Sequence, residues 1–416
     1  MKQAMSERVN VLISRGVRIL NPASVEIDEK VNLENISSEG VVMYPGCRIE
    51  GNKTLIMKGA KLGHEAPVTV KDCQIGPDVE LKGGFFTTSV FLHKSNLASG
   101  AHVRDACILE EEANGAHTVG LKQTILLPFV TLGSLINFCD CLMAGGTSRK
   151  NHSEVGSSYI HFNYTPNQDK ATASLIGDVP RGVMLNQRPI FLGGQGGLVG
   201  PALIGFGTVI AAGVVFRGDV PEGGKIIQGL EPTLSSQDFH SGLYWEIRRK
   251  VRNNLIYIAN VIALKAWYHH VRSMFFGPDF FEQALFTGAL EKLDMAIDER
   301  ISRLKALAQK MPTSVDQYRT LMKDKAREEL ITLKEELFRT KEELEAFFET
   351  QKDQAGNDKM REVFLSMLSK EIHGAASEYI PAIQGLSPET RTRGVEWMQG
   401  IVDGVCAGAF KILSHY

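Results

Sequence analysis

Residues that can transfer protons and bind phosphate lie close together between positions 149 and 170. His152 has a side chain that accepts a proton near neutral pH, and Glu154 follows on the same side of an extended strand, where it can orient the imidazole. Arg149, Lys150 and Lys170 are cations of the kind that hold phosphate oxygens. Each also has a plainer interpretation, the histidine as a turn residue and the cations as a solvated corner, so the surrounding elements matter.

Up to about residue 230 the chain repeats every six residues. Branched aliphatic residues recur at this spacing, with glycines in step, in the series Ile19, Val25 and Val31, the series Leu203, Val209 and Val215, and the pair Gly207 and Gly213. A short strand and a tight turn, repeated in this way, are typical of a parallel β-helix. One aliphatic side chain per strand points inward, and glycine allows the sharp corner. We therefore predict a β-helix domain over residues 1–235, with coil boundaries left open between residues 34 and 130.

Beyond residue 235 the period becomes helical, and an all-α domain is predicted over residues 236–416. Its apolar residues recur four or seven apart, as in Leu243, Ile247, Val251 and Leu255, in Leu290, Ile297 and Leu304, and in Leu330, Leu337 and Leu344. These heptads are too few for a free-standing coiled coil, which favours a packed helical hairpin. Residues 351–358 have the character of a loop, and Ser387-Pro388-Glu389 is a good helix start. Nothing in this domain indicates chemistry.

The composition excludes several classes of function. With 416 residues and a formal net charge of −2, two domains are expected, and no basic stripe points to nucleic acid. The most apolar later stretch, Leu255–Trp267, contains Asn260 and Lys265 and is too short to span a membrane. The polar N-terminus and six scattered cysteines predict reduced thiols in the cytoplasm. Cys139-x-Cys141 lacks a second pair at metal spacing, so no metal site is predicted.

Two segments resemble a known family. The stretch Val199–Gly213, which reads VGPALIGFGTVIAAG, resembles without a gap the V-A-P-V-x-x-G-x-G-A-x-I-A-A-G coil of the bifunctional N-acetylglucosamine-1-phosphate uridyltransferase / glucosamine-1-phosphate acetyltransferase family. Upstream, residues 163–178 resemble that family's N-Y-D-G-x-N-K-x-K-T-x-I-G-D loop, stretched by two residues. Lys150-Asn151-His152 lies in the region of the family's lysine and catalytic histidine. The resemblance is good over about residues 130–220 and generic over residues 15–130.

The resemblance implies a fold, an assembly and a reaction. The fold is the left-handed parallel β-helix built from hexapeptide repeats, and the assembly is a homotrimer with its site between subunits. The implied reaction is acetyl transfer from acetyl-CoA to an amino-sugar phosphate or nucleotide sugar, which needs a base and cations for phosphate. The implied catalytic residues are His152 and Glu154, and the implied substrate-binding residues are Arg149, Lys150, Asn163, Tyr164 and Lys170. Gly194, Ala212 and Arg217 are implied to contact acetyl-CoA along the coil edge.

Three departures from the family leave an alternative open. Residues 1–14 offer no room for the family's nucleotidyltransferase domain, which disfavours a pyrophosphorylase or uridylyltransferase activity. The family's tyrosine three residues after the histidine is Val155 here, and the helical domain has no counterpart in the family. The alternative is a non-catalytic protein that keeps a nucleotide-sugar pocket, or a scaffold of the same fold.

Overall fold

The computed structural model describes residues 6–229, 236, 238–372 and 378–416. The first part is a left-handed parallel β-helix of about 11 turns, and the part that follows is helical. This confirms the predicted fold class. The predicted boundary at residues 235 and 236 falls at the edge of the undescribed residues, so it stays a prediction.

The strands stack in parallel into three faces. The first face contains Arg18–Ile19, Val42–Met43, Lys61–Leu62, Glu80–Leu81, Asn96–Leu97, Asn114–Gly115, Thr131–Leu132, Glu154–Val155, Phe191–Leu192, Val209–Ile210 and Ile226–Ile227. The second face contains Glu26–Ile27, Arg48–Glu50, Val68–Lys71, Gly84–Thr87, Ala101–Arg104, Tyr159–Phe162, Gly197–Val199 and Val215–Phe216. The third face contains Leu55–Ile56, Gln74–Ile75, Val90–Phe91, Ile108–Leu109, Ser174–Ile176 and Leu203–Ile204.

Two longer strands join the second and third faces. Val119–Leu126 and Ile136–Met143 pair in register on both sides of a corner, where Gln123 and Asp140 interrupt the pairing. Both corner residues have left-handed backbone, with φ of 51° and 61°. Asp and Asn visit this region more readily than most residues. The corner turns the carboxylate of Asp140 towards the helices that cover the third face.

Three insertions interrupt the regular coils in the later part of the β-helix. An antiparallel hairpin of Gly146–Ser148 and Asn151–His152 lies between the third and first faces. A loop over residues 163–173 lies between the second and third faces, and a segment over residues 177–190 with a short helix follows the third face. Most of the candidate site residues therefore lie on insertions and not on the coils themselves.

The helices begin with one at the N-terminal end of the β-helix, where Val9 and Leu12 are buried against the first coil. They are α1 (Glu7–Ser14), α2 (Val179–Gly182), α3 (Arg248–His270), α4 (Phe280–Gln309), α5 (Met311–Met322), α6 (Glu328–Arg339), α7 (Lys341–Gln351), α8 (Asp358–Ile372), α9 (Tyr379–Gln384) and α10 (Pro388–Ile412). Short 3₁₀ turns occur at Pro22–Ser24, Leu33–Asn35, Arg272–Phe275 and Lys323–Lys325. Among the described residues no helix is both long and apolar enough to cross a bilayer.

Two predicted details of the helices are confirmed, and one is wrong. Ser387 caps α10 by accepting a hydrogen bond from the Thr390 amide, and α7 ends and α8 begins at the two ends of the predicted loop. The four-residue apolar series, however, begins before its helix. Because α3 starts at Arg248, Leu243 and Ile247 lie in the turn segment ahead of it, where both are buried against the helices.

The helical region packs on the third face. In α4, Gly288 lies against the Gln74 side chain and Leu285 against Gly76, while the Tyr268 hydroxyl of α3 donates to Glu110 at 2.6 Å. A contiguous set of buried apolar residues runs through both parts of the chain. In the described part of the chain, the main strand contacts of α3 and α4 are with strands of the third face.

Candidate active site

The hairpin fixes the tautomer of His152. Its Nδ1 lies 2.8 Å from the carbonyl oxygen of Arg149. A carbonyl oxygen only accepts, so Nδ1 carries a hydrogen, and in the neutral imidazole the lone pair is therefore on Nε2. Nε2 lies 3.5 Å from a carboxylate oxygen of Glu154, and the imidazole is 19% exposed. This arrangement suits a base, because the carboxylate stabilises the imidazolium once Nε2 has taken a proton.

Arg149 ties the hairpin to the β-helix. Its Nη1 donates to the carbonyl oxygens of Glu112 and Phe129, at 3.0 and 2.9 Å, and to the Thr131 hydroxyl at 2.8 Å. This nitrogen is therefore committed to the neighbouring coils. Lys150 lies exposed at the tip of the hairpin. The predicted phosphate contacts of these two residues stay predictions.

Asn163 has both ends of its side-chain amide engaged. Its Nδ2 donates to Asp140 at 3.1 Å, and its Oδ1 accepts from the Thr172 hydroxyl at 2.7 Å. Arg300 of α4 donates to the other oxygen of Asp140 at 2.7 Å. Arg300, in the helical region, thus helps to position Asn163 through the buried Asp140 carboxylate. Asn163 is the first residue of the loop over residues 163–173.

The rest of the loop is held by the segment before α3 and by α3 itself. The Asn167 side chain accepts from the Gly242 amide at 2.8 Å. Asp169, only 1% exposed, accepts from the Tyr244 hydroxyl at 3.0 Å and pairs with Lys250 at 2.8 Å. Burial, followed by the neighbouring Asp169 carboxylate, raises the pKa of Tyr244 well above its usual range, so the hydroxyl stays a donor. The helical region therefore shapes the loop along most of its length.

Tyr164 and Arg217 meet across adjacent segments of the β-helix. The guanidinium carbon of Arg217 lies 5.8 Å from the centre of the Tyr164 ring, which is 63% exposed. This is within the range of a cation–π contact. The structure thus brings together one predicted substrate residue and one predicted acetyl-CoA residue. Lys170 lies exposed farther along the same loop, with a φ of 55°.

Gly194 and Ala212 lie at the corner between the first and second faces. A Cβ on Gly194 would stand 2.6 Å from the carbonyl oxygen of Ser157, so close stacking of the coils requires glycine here. Ala212 is exposed in the next coil. These small residues leave an open edge along which an extended ligand could lie.

Within one chain, the candidate residues occupy three different corners of the coils. His152 and Glu154 lie where the third face meets the first, and Asn163, Tyr164 and Arg217 where the second meets the third. Gly194 and Ala212 lie at the remaining corner. A single chain therefore does not gather them into one pocket.

Sequence reasoning missed Asp140 and Arg300. Asp140 lies between Cys139 and Cys141, whose spacing raises the question of a metal site and indicates no role for the carboxylate between them. Arg300 carried a readable signal, because it lies three residues after Ile297 and four before Leu304, on the apolar stripe of α4. A charged residue on a buried stripe indicates a buried partner. Among the described residues, no group of three or more His, Cys, Asp or Glu side chains is arranged to hold a metal ion.

The coils and their glycine corners define a left-handed β-helix protein of the hexapeptide-repeat class. No protein-family model matches the chain. Curated relatives named "Bifunctional protein GlmU" match it from Thermotoga maritima, with 26% identity over 221 residues, from Synechococcus elongatus, with 27% over 219 residues, and from Pelobacter propionicus, with 26% over 241 residues.

These matches cover 53 to 58% of this chain but only 43 to 45% of the relatives. The chain thus spans less than half the length of the curated relatives it matches, and the matched part is their C-terminal half. Together with the β-helix, the matches make the chain a relative of the acetyltransferase domain of GlmU-like proteins.

Proposed function

We propose that this protein transfers an acetyl group from acetyl-CoA to the amine of an amino-sugar phosphate or nucleotide sugar. The observation that carries the proposal is the tautomer of His152, which leaves Nε2 free with the Glu154 carboxylate 3.5 Å away. Kinship with GlmU-like proteins supports the substrate class. The identity of the acetyl donor and the identity of the acceptor are both part of this proposal. So is the cytoplasmic location predicted from the sequence.

The proposed chemistry assigns one step to each group. Nε2 of His152 takes a proton from the acceptor amine while the amine nitrogen forms its bond to the thioester carbonyl carbon. The carbon–sulfur bond then breaks, and the imidazolium returns the proton to the departing thiolate, so charge balances over the cycle. Glu154 stabilises the imidazolium between these steps. Lys150 and Lys170 are proposed to bind the acceptor phosphate, and the corner at Gly194 and Ala212 to bind acetyl-CoA.

We further propose that copies of the chain assemble, as a trimer, through the first and second faces. The helical region covers the third face, which leaves the other two for contacts between copies. Phe191, Val209 and Ile226 are in register on the outside of the first face, and Phe191 and Ile226 are 39% and 65% exposed. A stack of exposed apolar side chains of this kind marks an interaction surface. Assembly would bring the corners of different chains together.

The test is thiol release from acetyl-CoA in the presence of a panel of amino sugars and their phosphates. His152→Ala is expected to lower the rate by roughly 10²–10⁴-fold, as for loss of a general base. His102→Ala provides the matched control, because it removes an exposed histidine from the second face. Absence of release with every acceptor, or wild-type turnover by His152→Ala, would contradict the proposal.

A second candidate is a non-catalytic nucleotide-sugar-binding or scaffold protein. It is favoured by one observation: the amide of Asn163 and Nη1 of Arg149 are already satisfied by the protein itself. These groups would have to exchange partners to bind a substrate. Calorimetric binding of a nucleotide sugar with no thiol release from acetyl-CoA would support this candidate over the enzyme.

A further inference from the structure

A cleft of about 480 Å³ lies where the helical region meets the last coils of the β-helix. Its floor is apolar and comes from the third face, with Leu175, Leu203 and Ile204. One wall is α3, and the other is α10, which contributes Gln399 and Val402. None of the residues assigned to acetyl transfer lines this cleft.

The charged groups around the cleft are mainly cationic. Four arginines and two aspartates line it: Arg181, Arg248, Arg249, Arg252, Asp178 and Asp219. Arg181 pairs with Asp178, its Nε lying 2.7 Å from the carboxylate. Arg249 lies 3.4 Å from Asp219. The two aspartates are thus matched by two of the arginines.

The other two arginines differ, because Arg248 has a carboxylate partner outside the cleft and Arg252 has none in the described part of the chain. Arg248 reaches away from the β-helix to Glu329, at 2.9 Å, and to the carbonyl oxygen of His415 at 2.8 Å. Arg252, one turn farther along α3, has no hydrogen-bond or ion-pair partner in the described part of the chain. Its guanidinium is exposed on the wall of the cleft. An unpaired guanidinium above an apolar floor is suited to a ligand that is anionic at one end.

We propose that this cleft binds an organic phosphate with an apolar body, either a nucleotide or an alkyl phosphate. Guanidinium groups are the preferred protein partners of phosphate, because their planar fork matches two phosphate oxygens. Arg252 binds the phosphate, while Leu175, Leu203 and Ile204 contact the apolar part. A volume near 480 Å³ lies within the usual range for small-molecule sites. The ligand would bridge the β-helix and the helical region.

Isothermal titration calorimetry on the full chain at 150 mM salt tests the proposal with three probes. Uridine 5′-diphosphate represents the nucleotides, and hexyl phosphate represents the alkyl phosphates. Inorganic pyrophosphate has the negative charge but no organic group. At least one of the first two is expected to bind at least about tenfold more tightly than pyrophosphate. Arg252→Gln is expected to weaken that binding roughly tenfold. The Arg252 side chain is exposed, so this variant is not expected to disturb folding.

Arg18→Gln is the matched control, since it removes an exposed arginine from the first coil, at the opposite end of the β-helix from the cleft. It is expected to leave the affinity of the probe unchanged. The proposal is overturned if neither organic phosphate binds, if pyrophosphate binds equally well, or if Arg252→Gln binds like wild type. It is also overturned if Arg217→Gln alone removes binding, because the ligand then occupies the proposed acetyl-CoA site.

Discussion

Arg300 and Asp140 form a buried ion pair, 2.7 Å apart, between the helical region and a corner of the β-helix. Their side chains are 2% and 8% exposed. Asp140 uses its second oxygen to hold Asn163. The same ion pair therefore holds the helical region against the β-helix and positions the residue that begins the loop over residues 163–173.

Removing one partner of this pair should be costly. Arg300→Met leaves a buried carboxylate without its cation, and we expect the free energy of unfolding to fall by about 3–5 kcal/mol. Urea denaturation measures the change. Arg319→Met is the control, because its partner Glu335 is 53% exposed, and such surface pairs contribute at most about 1 kcal/mol. Equal decreases in the free energy of unfolding for the two variants would mean that the buried pair stabilises the fold no more than an exposed pair does.

The loop over residues 163–173 should loosen when Lys250 no longer pairs with Asp169. Lys250→Met leaves that carboxylate, which is 1% exposed, with the Tyr244 hydroxyl and no cation. Because Lys170 is exposed in this loop, trypsin should then cleave after it at least about fivefold faster, through more frequent local opening. Mass spectrometry of timed digests gives the rate.

The control for loop opening is Lys53→Met, which breaks an exposed pair with Glu291. It should leave cleavage after Lys170 unchanged. If Lys250→Met is cleaved at the wild-type rate, α3 does not hold the loop in place.

Glu110 should make stability depend on pH. Burial raises its pKa to about 7, against the opposing effect of Arg272. The folded state therefore binds more protons than the unfolded state between about pH 4.5 and 7, so stability falls as pH rises through this window. Glu110→Gln, which keeps an acceptor for the Tyr268 hydroxyl, should be more stable than wild type by up to about 3 kcal/mol at pH 8.

The comparison is a series of urea denaturation curves from pH 5 to pH 8. The advantage of Glu110→Gln should shrink towards pH 5, where the wild-type carboxyl is neutral. Glu112→Gln, a change at a half-buried carboxyl two residues away, should show no such trend. A constant difference between Glu110→Gln and wild type at every pH would contradict the burial of a protonated carboxyl.

Lys334 of α6 should limit the stability of the helical region. Its ammonium is buried without a hydrogen-bond partner among the described residues and lies 4.6 Å from the centre of the Tyr318 ring. Burial lowers its pKa to about 8. The folded state binds fewer protons than the unfolded state between about pH 8 and 10.5, so stability rises with pH there.

Lys334→Met should therefore raise the free energy of unfolding by about 2 kcal/mol at pH 7, and the gain should vanish near pH 10.5. Thermal melts across this pH range check both expectations. Lys359→Met, at an exposed position of α8, should have no effect. A loss of stability in Lys334→Met at pH 7 would mean that the cation–π contact with Tyr318 outweighs desolvation.

The six-residue period predicted the β-helix because one inward aliphatic side chain per strand is a local requirement of that fold. The heptads predicted helices for the same kind of reason. The face of the β-helix on which the helices pack could not be predicted from the sequence. Gln74 and Glu110 are polar, as solvent-facing residues are, yet they are only 4% and 2% exposed beneath α4 and α3. Burial of a polar side chain by a distant segment leaves no local pattern.

The candidate site shows the same limit. Lys150, His152, Asn163, Tyr164 and Lys170 are close in sequence, but one coil places them at two corners. Nearness along a chain that winds around a triangle does not mean nearness in space. The tautomer of His152 depends on a hydrogen bond to a carbonyl oxygen of the hairpin. The hydrogen bond from Asn163 to Asp140 depends on Arg300, which lies 137 residues after Asn163 in the chain.

Because α3 runs along several coils, this β-helix is expected to unfold differently from a β-helix with no helix packed along it. Between Tyr268, bonded to Glu110, and Asn253, bonded to Asp219, the helix rises about 22 Å. The coils beneath advance by a similar length at their spacing of about 4.8 Å. A stack of repeats ordinarily loses coils from its ends, since each contacts only its neighbours. A rigid rod bonded to coils at both ends of this span should make them melt together, in one sharp transition.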